Sequence, residues 1–256
     1  MNTNLPDLSS LSPPARAAGS VEGPRNGRQL LLWATVATVA LWFLPFSNYL
    51  LYPLRLFVTF IHESGHAVAA ELVGGHVASL QIHPDGSGIT WTAESPWFAW
   101  LVLSAGYIGA ALFGALLLQA GRLTGWRNAG RTTLYASAAL ILIVTLLWGW
   151  HSLFTLLVGL ALTALLGAAG RYVKPQWADF LASFLAVQCC LGALGDLRTL
   201  FYLTTYSPGT DNDAVFMAQH YALPAAFWAV TWAVMAVAIL ALSLRSFWRA
   251  TARQKP

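Results

Sequence analysis

Charge is scarce in this chain: 10 acidic and 14 basic side chains occur among 256 residues, 9% in all. A soluble domain carries about 25%, so an ordinary water-facing surface is excluded. Cysteine is scarcer still, with only the adjacent pair Cys189 and Cys190. Neighbours inside an apolar run offer neither disulfide geometry nor a metal-ligand spacing, which excludes a disulfide scaffold and a thiolate metal site. Both read as packing residues. Polar stretches are missing as well, since only residues 1–29 and short loops separate the apolar runs. No room is left for a second, soluble domain.

What is present is apolar. Hydrophobic residues make up 57% of the chain, and the mean hydropathy is +0.59. Runs long enough to cross a bilayer, about 20 residues each, occur near 30–47, 51–73, 97–119, 133–150, 152–169, 177–203 and 223–244. The expected fold is an all-α polytopic membrane protein with six to seven transmembrane helices. Residues 1–29, rich in Pro, Gly and Ser, read as a disordered tail, 30–248 as one membrane domain, and 249–256 as a basic C-terminal tail. The first apolar run lies too far from the start, without a clear cleavage site, for a removed signal peptide, and reads as a retained anchor.

The basic residues cluster at Arg122, Arg127 and Arg131, at Arg171 and Lys174, and from Arg245 to Lys255. In a membrane protein such clusters set orientation, so they predict a lipid bilayer as partner and no nucleic acid. Placing these loops and the basic N-terminal tail on one side leaves a parity conflict. One element between 30 and 96 cannot be a simple span. The sequence "GGHVASLQIHPDGSGITW" after residue 73 suggests which kind of element departs from helix. Gly74 and Gly75 stop a helix, Val77 to Ile82 is β-prone, and "PDGSG" is a turn before Ile89 to Trp91. A β-hairpin re-entering beside the preceding helix is expected. Non-helical backbone at membrane depth is tolerated only against protein or a polar cavity.

That preceding helix carries "FIHESGHAVAAE" at residues 60–71. His62 and His66 are four apart, so on a helix they share a face and present two imidazoles to one ion. Glu63 lies beside them, within reach of a water on that ion. The H-E-x-x-H pattern is that of zinc peptidases, with two histidines as ligands and the glutamate as general base. Ionisable groups in a membrane segment are costly and mark function, and three within five residues need a shared purpose.

Catalytic zinc takes three protein ligands and leaves a fourth position open. The candidates for the third are His151, Asp179, Asp196, Asp211, Asp213 and His220, with His76 and His83 in the hairpin. Asp196, in "LGALGDLRTL", is the best placed: it lies well inside an apolar run and follows Gly192 and Gly195. Asp213 and His151 stand behind it, and the Trp neighbours of His151 suit a turn at the membrane interface.

With these pieces in hand, the chain resembles the site-2 protease family of intramembrane zinc metallopeptidases, particularly its small bacterial branch. The resemblance rests on "HESGHAVAAELVGGHVASLQIHPDGSGIT", "SAGYIGAALFGALLL", "LGALGDLRTL" and "DNDAVFMAQHYALPAAFW", and spans about residues 55–240. It implies a multi-pass protein of the bacterial cell membrane that cleaves a membrane-spanning protein, such as an anti-sigma factor or a signal-peptide remnant. It implies His62, His66 and Asp196 as zinc ligands and Glu63 as catalytic base. The hairpin would help to receive an extended substrate by strand addition. The chain departs from better-known members, which carry an N-x-x-P-x-x-x-L-D-G type sequence where this one has "GALGDLRTL". The glycines from Gly106 to Gly114 would let helices approach closely to admit substrate. Two other readings remain open: a non-proteolytic zinc protein for sensing, structure or metal handling, and a small transporter using the same groups as a relay.

Overall fold

The computed structural model describes residues 27–120, 128–206 and 212–252, with side chains of the long sixth helix described up to Gly192. Within these residues lie eight α-helices and one hairpin. In chain order they are α1 (Gly27–Trp42), α2 (Ser47–Leu72), β1 (His76–Ile82), β2 (Gly88–Ala93), α3 (Ala99–Ala120), α4 (Ala129–Leu147), α5 (Leu153–Tyr172), α6 (Pro175–Tyr206), α7 (Asp213–Tyr221) and α8 (Ala225–Ala252). The fold is thus the expected all-α membrane architecture with a small antiparallel hairpin after the H-E-x-x-H helix.

Among the described residues, four helices are long and apolar enough to cross a bilayer: α3, α4, α5 and α8. Their outer faces show why, with Leu116, Leu146, Leu153, Leu165 and Leu242 all exposed. Two further helices are long, α2 with 26 residues and α6 with 32. The first helix is different. Its 16 residues rise about 24 Å, short of a hydrocarbon core of about 30 Å.

The bundle is organised around α3, which packs on α2, α6, α7 and α8. Small residues allow the closest crossing: a Cβ on Gly65 of α2 would sit 2.3 Å from the Ala105 carbonyl oxygen of α3. Backbones this close need glycine. On the other side of α3, Gly114 meets α6, where an added Cβ would lie 2.8 Å from Cys190 Sγ. Cys189 and Cys190 are free thiols buried in that contact, as packing residues should be.

Helix α2 ends as its two glycines predict. Gly74 adopts φ +77°, its N–H donates to Glu71 O, and Gly75 N–H donates to Ala70 O at 2.9 Å. This pair of reversed bonds satisfies the last carbonyls and turns the chain into β1. The strands pair from His76↔Ala93 to Ile82↔Gly88, with an irregularity between Val77 and Ser79. The turn is locked by Asp85, whose Oδ1 accepts from Ser87 N at 2.9 Å and Ser87 Oγ at 2.7 Å. These bonds hold the Asp85 carboxyl below its usual range.

The two edges of the hairpin differ. On β1, Leu80 N donates to Trp148 O at 3.0 Å and Ile82 N to Thr155 Oγ1 at 2.8 Å, so the α4–α5 connection seals that edge. Among the described residues no backbone partner lies along the other edge, that of β2.

Candidate metal centre

One turn of α2 separates His62 from His66, and their Nε2 atoms stand 3.1 Å apart. Both rings are buried, as is Glu63 between them in sequence. The tautomer of His66 is set by its environment. Its Nδ1 lies 2.7 Å from the Val102 carbonyl of α3, so Nδ1 donates there and Nε2 keeps its lone pair free for a ligand role. His62 is held differently. Tyr107 of α3 meets its ring edge-on at 4.5 Å, and Trp232 of α8 stacks behind Tyr107 at 4.9 Å. Trp232 is itself fixed, with Nε1 donating to Ser104 Oγ at 2.8 Å. The Nδ1 of His62 is buried with no hydrogen-bond partner among the described residues.

The third group comes from α7. Asn212 caps this helix by accepting from Val215 N at 3.1 Å, which puts Asp213 in its first turn and aims the carboxylate at α2. Asp213 Oδ2 lies 3.6 Å from His62 Nε2 and 3.5 Å from His66 Nε2. Loss of hydration pushes this carboxyl up, but the two neighbouring imidazoles pull it down, to a net position well below the usual carboxylate range.

Three donors at separations of 3.1, 3.5 and 3.6 Å can be compared with a tetrahedral zinc site. Zinc–donor bonds near 2.0–2.1 Å place donors about 3.3–3.4 Å apart. The residues fit the ion. His62, His66 and Asp213 form the one such cluster found among the described residues. Space for it is kept by Gly106 of α3, where an added Cβ would lie 2.3 Å from both Nε2 atoms.

Glu63 is oriented from the hairpin side. Thr90 of β2 donates to its Oε2 at 2.6 Å, and Gly88 packs so closely that a Cβ there would lie 2.6 Å from Oε1. Thus a buried carboxylate and three metal donors converge from α2 and α7, walled by α3 and β2. Such a set can bind a divalent cation and move a proton next to it.

Of the expected site residues, His62, Glu63 and His66 are brought together. Asp196 lies on α6 with its side chain outside the described residues, and Asp211 lies outside the described residues altogether. Asp179 instead ties two helices, accepting from Gly130 N at 2.9 Å. His151 occupies the turn between α4 and α5, exposed and stacked on Trp150. His76 and His83 are exposed on the hairpin, and His220 bonds back to Phe216 O of its own helix. Sequence reasoning passed over Thr90 and Tyr107, and gave Gly106 a helix-packing role only. Threonine in a strand or glycine in an apolar helix looks like propensity or packing, and no local signal marks either.

A family model described as Peptidase M50B-like matches residues 31–243. No curated protein and no solved structure matches the chain.

Proposed function

The chain belongs to the Peptidase M50B-like family, the site-2 protease family, and on that premise we propose that it is an intramembrane zinc endopeptidase acting on a membrane-spanning protein. The observation that carries this reading is the convergence of His62, His66 and Asp213 at zinc-like separations with Glu63 beside them. His62 and His66 bind the metal through Nε2. Asp213 is the carboxylate the geometry favours as third ligand, and Asp196 is the competing candidate from sequence. Zinc held there would supply the Lewis acidity that amide hydrolysis needs. Glu63 would take a proton from the attacking water at its carboxylate and hand it to the departing amine. The walls of α3 and β2 limit bulk water around the buried carboxylate.

A substrate helix must unwind first, because its carbonyls are tied into intrahelical bonds. Residues that weaken helices near the cut favour this. The open edge of β2 then offers backbone groups to an extended segment, which pairs as an added strand.

The test is metal content by mass spectrometry of the purified protein, with cleavage of a synthetic transmembrane peptide followed in parallel. Wild type should hold one zinc, lost in His62→Ala and His66→Ala. Glu63→Gln should keep zinc and lose at least about a hundred-fold in kcat. Loss of zinc in Asp213→Ala but not in Asp196→Ala assigns the third ligand to Asp213, and the reverse assigns it to Asp196. Full cellular function in Glu63→Gln together with none in His62→Ala would instead establish a non-proteolytic zinc protein.

A further inference from the structure

Three side chains on one face of α2 stitch the hairpin to it. Tyr52 OH donates to Pro84 O at 2.6 Å, Thr59 Oγ1 donates to Gly86 O at 2.9 Å, and Glu63 Oε2 accepts from Thr90 Oγ1 at 2.6 Å. Steps of seven and four residues return to the same helix face. The first two bonds end on turn carbonyls and can only fasten the hairpin. The third ends on the one carboxylate beside the metal donors.

A glutamate side chain has three rotatable torsions, so a general base built on it must be held by something. Thr90 supplies that hold with its one hydroxyl proton, given to Oε2, and its Oγ1 also lies 3.2 Å from the Glu63 main-chain carbonyl, which seats it against this turn of α2. Gly88 lies two residues earlier, on the same face of β2. It presents bare backbone where a Cβ would meet Oε1 at 2.6 Å. The strand therefore offers a donor to one carboxylate oxygen and clearance to the other.

We infer that Thr90 is a positioning residue for Glu63: its hydroxyl holds Oε2 and leaves Oε1 as the oxygen that works. This role rests on Glu63 being the general base proposed above. Oε1 takes one proton as a water O–H bond breaks and the water oxygen bonds to the scissile carbon. The same proton then goes to the amide nitrogen as the C–N bond breaks, and Glu63 returns to its carboxylate. The strand with the open edge thereby also orients the base, so a peptide pairing along β2 is registered against an already aligned Glu63.

The experiment compares Thr90→Val, Thr90→Ser and Thr59→Val in the full-length zinc-loaded protein, with kcat and KM measured on a synthetic transmembrane peptide. Thr59→Val is the control that removes a stitch on the same face without touching Glu63. Thr90→Val should lose about ten- to a hundred-fold in kcat, with KM and zinc content unchanged. Thr90→Ser should recover to within about threefold, and Thr59→Val should stay within about twofold of wild type. If Thr90→Val does not fold, Thr90→Ala serves in its place. A Thr90→Val kcat no lower than that of Thr59→Val, or a loss confined to KM, would overturn the role and leave Thr90 as a stitch. A second readout does not need cleavage: in cobalt-loaded protein the visible absorption bands should shift in Thr90→Val and not in Thr59→Val. Wild type that binds metal but cleaves no peptide would defeat the proposed function alone, and the cobalt spectra would then decide on Thr90. Unchanged spectra in Thr90→Val would overturn the positioning role. A wild type that binds neither zinc nor cobalt would overturn both.

Discussion

An ideal Cβ on Gly106 would stand 2.3 Å from both Nε2 atoms of the candidate centre, so the smallest side chain would displace the imidazoles. Gly106→Ala is expected to lose bound metal outright, read by mass spectrometry. Gly109→Ala is the matched control, since its Cβ would come no closer than 3.4 Å, to Gly65 Cα, and it should keep its metal. The residues that bear chemistry were unevenly legible. His62, Glu63 and His66 announce themselves by spacing, because a helix must place them together. Asp213 is weaker in sequence, since nothing local says which of several acids folds back on α2. One signal was there: Asn212 before an apolar run is an N-cap, and an acid just after a cap points along the helix start. Asp196 looked better because an acid deep in an apolar run demands a partner. Gly106 and Thr90 matter only through what lies opposite them, which no one-dimensional pattern records.

At the scale of elements, the hairpin was readable because its parts are local. Paired glycines stop α2, and a Pro-Asp-Gly turn with β-prone flanks specifies the reversal. What holds it in place was not readable. Thr155 of α5 accepts from Ile82 N at 2.8 Å and returns a longer bond to Ile82 O at 3.4 Å, across 73 positions of sequence. Thr155→Val keeps the shape and removes both. A buried N–H left without an acceptor costs about 1–3 kcal/mol, so amide hydrogen exchange at Ile82 and Leu80 should quicken markedly. The helices at the back of the bundle, α4 with α6, should not change. Equal quickening throughout would mean that the bond supports the whole bundle rather than the strand.

Across the whole molecule, the candidate centre joins parts that are otherwise loosely related. Two donors sit on α2 and the third opens α7, a helix of only nine residues. Apart from that carboxylate, α7 is held by burial of Ala214 and Met217 and by Tyr221, whose hydroxyl bridges Pro96 O and Trp100 N. A helix this short has little stability of its own. On the proposed zinc site Asp213 would be a tether, since ligands that bind only the folded state stabilise it. Chelation should therefore raise hydrogen exchange in residues 213–221 well before it affects α4, and restored zinc should reverse the change. Uniform exchange on chelation would separate α7 from the metal. The membrane character of the whole was plain from composition, because no soluble surface can be made from so few charges. The span-by-span account was less plain, since α1 is a short helix where the hydropathy suggested a full crossing.

The thiols of Cys189 and Cys190 are sealed between α6 and α3, with Gly114 pressed against them. Burial of both thiols is expected to leave the folded chain slow to react with maleimides. Any cysteine placed by mutation, for instance at the exposed hairpin residue Ser87, becomes the single reactive handle. Fluorophores or spin labels can then be attached at will, without first removing the native pair, and distances between the hairpin and the bundle can be followed while a peptide is bound.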